Sequence, residues 1–336
     1  MESHDYLFPN ENTIDPIYTT PPVAGFWRRF AAWLIDIILL GIAGQIIGWS
    51  FSSFWFQIGP YGRIVGLIII LLYFGLMNSS LGNGQTVGKL LLGIAVRNRN
   101  NQSISIPRSI IRAAILAFPW ILNGWELPLF YLPMATWLII VIVFGLGITI
   151  IYTMIFNRSG KQGIHDLICG TYVVNLKGVP VESFPKTAKI HFLVSGSLVA
   201  LSLLLTLVLA FLSWYWASEK PLATVYSVYQ TLQSDNRFFS VGVNDNTFYE
   251  MNGQTTRSLR VQVWYKGTPS NEERVAAMND IAKTVLDSES NLDQYDRLII
   301  SVTSAFDLGI ASANFTSGDA QPPEVWRRRV SNQAEQ

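Results

Sequence analysis

One cysteine, three histidines and few charges are the scarcities that matter first in this chain of 336 residues. A lone Cys169 excludes an intramolecular disulfide. His4, His165 and His191 are far apart, which argues against a histidine-based metal centre. Charged residues make up only 14% of the chain and the formal net charge is +1, so no basic excess points to nucleic acid. Residues 1–22 hold Asp5, Glu11, Asp15 and several prolines but no apolar core, and read as a disordered cytoplasmic tail. What the chain has in abundance is apolar sequence: half of its residues are hydrophobic.

That half is gathered into runs long enough to cross a bilayer, which takes about 20 helical residues. Five are expected: about Phe30–Phe51, Gly62–Leu81, Pro107–Trp125, Leu132–Phe156 and Ile190–Trp216. The third is the weakest, because Arg108, Arg112 and Pro119 interrupt it, and alone it could equally lie in the interface. Charge parity decides for a crossing. Arg28 and Arg29, then Lys89, Arg97, Arg99, Arg108 and Arg112, then Arg158, Lys161, Lys177, Lys186 and Lys189 all fall on one side only if Pro107–Trp125 spans. The positive-inside rule then puts the N-terminus in the cytoplasm and residues 217–336 outside. Trp27, Trp49, Trp55, Trp125, Trp214 and Trp216 fall near the expected boundaries, as an aromatic belt would.

Inside the first run stands Asp36, seven residues after Arg29 and on the same helix face, about 10 Å along the axis. A carboxylate at such depth costs about 2.5–3.5 kcal/mol and needs protein, water or a cation to face. Two loops on the cytoplasmic side are also marked. Gly84-Gln-Thr-Val-Gly-Lys89 leads into a strand, an Asn-rich turn and a second strand at Ser103–Ile106; Asn157-Arg-Ser-Gly-Lys-Gln-Gly-Ile-His165-Asp166 leads through a turn into a strand ending at Val174. A small sheet joining the two is expected. The Gly84–Lys89 stretch lacks the spacing and the Ser/Thr of a phosphate loop. Gly41, Gly44 and Gly48 read as a face for close helix packing.

An arginine at the mouth of the first span, an aspartate within it, the Gly-x-Thr-x-Gly-Lys loop and a closing His165-Asp166-x-x-x-Gly-Thr171, in this order, resemble the RDD (arginine–aspartate–aspartate) family of bacterial membrane proteins over about residues 23–180. The family's three residues fall on Arg29, Asp36 and Asp166, with Leu90 where a second basic residue often follows Lys89. The resemblance implies a multi-pass plasma-membrane protein, and exchange of protons for small cations.

Each of these residues admits two readings. Asp36 is a protonatable or cation site in the bundle, or a clasp to a basic group on a neighbouring span. Arg29 snorkels to lipid headgroups or bridges to Asp166. Asp166 holds its loop onto the first span or gates a cavity beside Lys89; His165 reads as a hydrogen-bonded loop residue. After the fifth span the chain turns polar and reads as a small α+β domain with an antiparallel sheet. Strands are expected at Ser240–Glu250 and Ser258–Tyr265, a helix from Thr268 to Ser288 burying Val275, Met278, Ile281, Ala282 and Val285, and a hairpin of Asp296–Thr303 with Leu308–Phe315. Asp287, Glu289, Asp293 and Asp296 form a solvated acidic turn, and Glu324–Arg329 a flexible tail. The resulting expectation is a helical membrane bundle with an extracytoplasmic α+β domain, without cofactor, metal or enzymatic activity. Its partners would be the lipid bilayer, protons or small cations, and an envelope protein on the outer domain, with oligomers possible. The rival is a membrane anchor or assembly protein that transports nothing.

Overall fold

The computed structural model describes residues 22–125, 133–158, 160–177, 184, 186–217, 223–249, 255–288 and 292–334. The expected tail before residue 22 therefore lies outside the described residues, as do Glu289 and the side chains of Trp214 and Trp216.

Helix α1 (Phe26–Ser50) is followed at once by α2 (Ser52–Ile58), a 3-10 turn at Gly59–Tyr61 and α3 (Gly62–Met77), so the second apolar stretch begins ten residues before the expected Gly62. A short helix α4 (Val87–Leu91) leads into strand β1 (Ile94–Asn98). The expected second strand does not form. Asn98 closes a turn through Gln102, Ile104 makes a single bridge to Ser79, and α5 (Ile106–Leu122) starts there, Pro107 suiting its first turn. Next come α6 (Pro133–Ile140), a π-helical turn at Val141–Leu146 and α7 (Gly147–Phe156).

The segment holding His165 and Asp166 is a six-residue helix, α8 (Ile164–Cys169), where a turn had been expected. It ends on Gly170 at φ +58°, a left-handed position that glycine takes without strain. Strand β2 (Thr171–Asn175) pairs antiparallel with β1, so the two marked loops do join in one small sheet. Helix α9 (Lys189–Ala217) completes the apolar part. Among the described residues four helices are long and apolar enough to cross a membrane: Phe26–Ser50, Ser52–Met77, Trp137–Phe156 and Lys189–Leu212. The shorter α5 packs along α3, with Ala117 and Ile121 buried among Leu40 and Ile70.

Beyond α9 lie α10 (Ala223–Gln233), β3 (Phe238–Tyr249), β4 (Thr255–Tyr265), α11 (Asn271–Ser288), β5 (Arg297–Asp307), β6 (Ser312–Gln321) and α12 (Pro323–Ala334). The sheet order is β3-β4-β5-β6, with β4 and β5 parallel, where an all-antiparallel sheet had been expected. The reason is topological: α11 is the crossover that a parallel pair requires. One face of α11 packs on the sheet through Ala277, Met278, Ile281, Ala282 and Val285; Val275 is exposed instead, and Arg274 is buried in its place. Nor is the Glu324–Arg329 segment a flexible tail. It is part of α12, held by Trp326, which is fully buried and donates from Nε1 to the Leu298 carbonyl at 3.0 Å.

The two parts of the chain interlock. Gly41, Gly44 and Gly48 do not meet another helix; the β5–β6 turn lies over them, with Ile310, Ala311 and Phe306 where added methyl groups would go. Gly62 and Gly66 of α3 take the backbone of Asp307 and Leu308 in the same way. Arg63 ties the seam. It pairs with Asp307 at 2.6 Å and donates to the carbonyls of Ile121 and Asn123 at 2.7 Å each. Trp55 is buried against this turn, and so does not stand in an aromatic belt; Trp27 and Trp49 are exposed.

Candidate functional site

Arg29 and Asp36 both face inward from α1, yet they serve different partners. Asp36 is fully buried and both its oxygens are engaged. Oδ1 accepts from the Tyr73 hydroxyl at 2.7 Å and the Gly88 amide at 2.8 Å, and Oδ2 from the Thr86 hydroxyl at 2.6 Å. This explains the Gly-x-Thr-x-Gly-Lys spacing. Thr86 caps α4, Gly88 lets its backbone lie against the Ala32 carbonyl of α1, and Lys89 is delivered one residue later.

Asp166 is likewise fully buried, and two arginines converge on it. Arg29 Nη2 lies 2.5 Å from Oδ2 and Arg112 Nε 2.8 Å from Oδ1; the Thr171 hydroxyl adds a third donor at 2.9 Å. Arg29 also donates to the Lys161 carbonyl. Burial alone would raise the Asp166 carboxyl, but Arg112 and Arg29 hold it well below the usual carboxylate range. His165 Nε2 is 3.4 Å from Asp166; burial pushes this imidazole down to about 4, so it is neutral near pH 7.

Arg112 is the member of the site that sequence reasoning passed over, reading it as an interruption of a span and as one of the basic residues that orient the chain. A guanidinium amid apolar residues needs a carboxylate partner, and that was the signal available. Tyr73 and Thr86, which satisfy Asp36, carried no such signal.

Against this cluster opens a chamber of about 600 Å³, within the range of small-molecule sites. Its walls are α1, α5 and α7, with Phe74 of α3 behind. Arg29, Lys89, Arg112, Asn78 and His165 line one end; Gly309 and Ile310 of the β5–β6 turn close the other. Trp120 donates to the Gly309 carbonyl at 3.0 Å, fixing that closure. Asp36 does not line the chamber. Lys89 is 9% exposed, and burial beside Arg112 pushes its ammonium down to about 7. Among the described residues no group of three or more His, Cys, Asp or Glu could hold a metal ion.

The sequence model of the RDD family matches residues 23–170. Three proteins of Bacillus subtilis (strain 168) are similar to the chain. The uncharacterized protein YxaI is 30% identical over 172 residues, 45% of this chain and 96% of that protein. The uncharacterized protein YckC is 27% identical over 150 residues, covering 45% and 83% of the two chains. The uncharacterized membrane protein YteJ is 26% identical over 185 residues, covering 53% and 93%. No solved structure matches.

Proposed function

From the premise that this chain belongs to the RDD family of membrane proteins, we propose that it is a proton-linked transporter whose passage is the chamber between α1, α5 and α7. The observation that carries this reading is the chamber's two different ends: a cationic cluster at one, and a turn of the C-terminal domain at the other. In this reading α5 is a fifth span, the N-terminus and the cluster face the cytoplasm, and the C-terminal domain is extracytoplasmic. The chain's basic loops favour that orientation.

Arg29 lines the chamber, while Asp36 and Asp166 brace the loops and helices around it. Asp36 offers no open oxygen to a cation, and three cationic side chains at the chamber mouth oppose one. Lys89 is the proton-carrying group, because it lines the chamber and titrates near neutrality. The anchor or assembly role has its own support in the fixed seam between the outer domain and the spans.

Oriented protein in liposomes holding a pH gradient separates the readings when challenged with sodium, potassium and lithium salts and with organic anions. Gradient loss on adding an organic anion, abolished by Lys89→Gln, is the expected result. Loss driven by a cation, surviving Lys89→Gln and abolished by Asp36→Asn, would return the function to small-cation exchange at Asp36. No loss from folded protein would leave the anchor role.

A further inference from the structure

The Lys89 ammonium is nine-tenths buried at the chamber wall, yet no carboxylate is paired with it among the described residues. Among the described residues its one hydrogen bond goes to the Thr86 hydroxyl at 3.4 Å, and it stands 5.9 Å from the Phe74 ring centre. The two carboxylates nearby are already taken, Asp36 by three donors and Asp166 by two arginines. Asn78 lines the same chamber, and its Oδ1 is buried without a partner. A buried cation without a counter-charge is costly, and a bound anionic group removes that cost.

The rest of the chamber is of opposite character. Phe30, Trp33 and Ile37 of α1, Ala117 of α5 and Ile150 and Ile151 of α7 line it. Phe30, Trp33 and Ile151 are exposed. From Arg29 to Leu40 along α1 the apolar wall extends about 16 Å.

We propose that the chamber binds a single-tailed amphiphile with an anionic head. The head sits at Lys89, and the tail lies along α1 and α7 toward Ile310. The inference names what the chamber holds and rests on its geometry; with the transport reading it would be the cargo, without it a bound ligand.

Trp33 and Trp120 line the chamber and report on a brominated tail. Full-length protein in nanodiscs of neutral phosphatidylcholine is titrated with 9,10-dibromostearic acid and, separately, with the corresponding alcohol. Saturable tryptophan quenching by the acid is expected. It should be at least tenfold weaker in apparent affinity for the alcohol and for Lys89→Met, and be retained in Lys89→Arg. The Trp33→Phe/Trp120→Phe double variant should lose the saturable component. Equal quenching by acid and alcohol would overturn the proposal, and so would saturable quenching that persists in the double variant. Displacement of the acid by phosphatidylglycerol in the disc would overturn the single-tailed occupant. If Lys89→Met does not fold, the acid and alcohol compared on the unaltered protein decide the matter. The readout needs no flux: binding without flux defeats only transport, and flux without binding defeats only the occupant.

Discussion

Replacing Asp36 with asparagine puts an amide NH2 where one carboxylate oxygen accepted, so at least one buried donor loses its acceptor. The expected loss is about 1–3 kcal/mol, read as a lower melting temperature and lower abundance in detergent extracts. A free proton site would instead leave abundance unchanged. Asp166→Asn should be worse, by about 3–5 kcal/mol, since it strands Arg29 and Arg112 together in a buried place. Asp36 was legible in the sequence because it is a charge where apolar neighbours make it expensive, and Arg29 because it stands two turns before it on the same face; Asp166 was placed by the family resemblance. The partition of roles was not. Arg29 and Asp36 share a helix face, and nothing in their spacing says that one answers to a loop 137 residues on and the other to a loop about 50 residues on.

At the scale of elements, the glycines of α1 are the sharpest case. Their spacing showed that something approaches closely, and the natural guess was a helix. The approaching element is the β5–β6 turn, which comes from another part of the chain and has no local signature. Gly66→Val should therefore push the Leu308 backbone off α3 while β3–β6 stays folded. Hydrogen exchange should rise at residues 307–311 and remain slow in β4 and β5; equal loss across the whole domain would show that the seam supports the domain's own fold. The parallel β4–β5 pair was hidden for a similar reason. Alternation marks a strand but is silent on its direction, which here depends on α11 as a crossover. In α12 a run of three arginines masked Trp326, whose ring is buried in the core and donates to the Leu298 carbonyl.

For the molecule as a whole, two predictions follow from charge. Lys89 faces Arg29 and Asp36 from α1, Arg112 from α5, and Asp166 with neutral His165 from α8. With its ammonium at about 7, it is charged below neutrality and loses the proton above it. Anion affinity in the chamber should fall as pH rises through 7, and binding above that pH should take up a proton, measurable by calorimetry in buffers of different ionisation heat. Orientation is a separate matter. In intact cells a membrane-impermeant maleimide should label Asn332→Cys but reach Lys177→Cys only after permeabilisation. Labelling of Lys177→Cys from outside would mean that α5 does not cross.

The closure made by Gly309 and Ile310 also bears on how the protein is made. α1 and α3 leave the ribosome first, with glycine-lined hollows in them, and the residues that fill those hollows are synthesised more than 200 positions later. Until then the nascent bundle must hold an unfilled notch. The latest segment to emerge therefore completes the earliest, and contacts so distant in sequence form slowly. Biogenesis should be most vulnerable in that interval, when lipid or a chaperone has to occupy the place that Ile310 later takes.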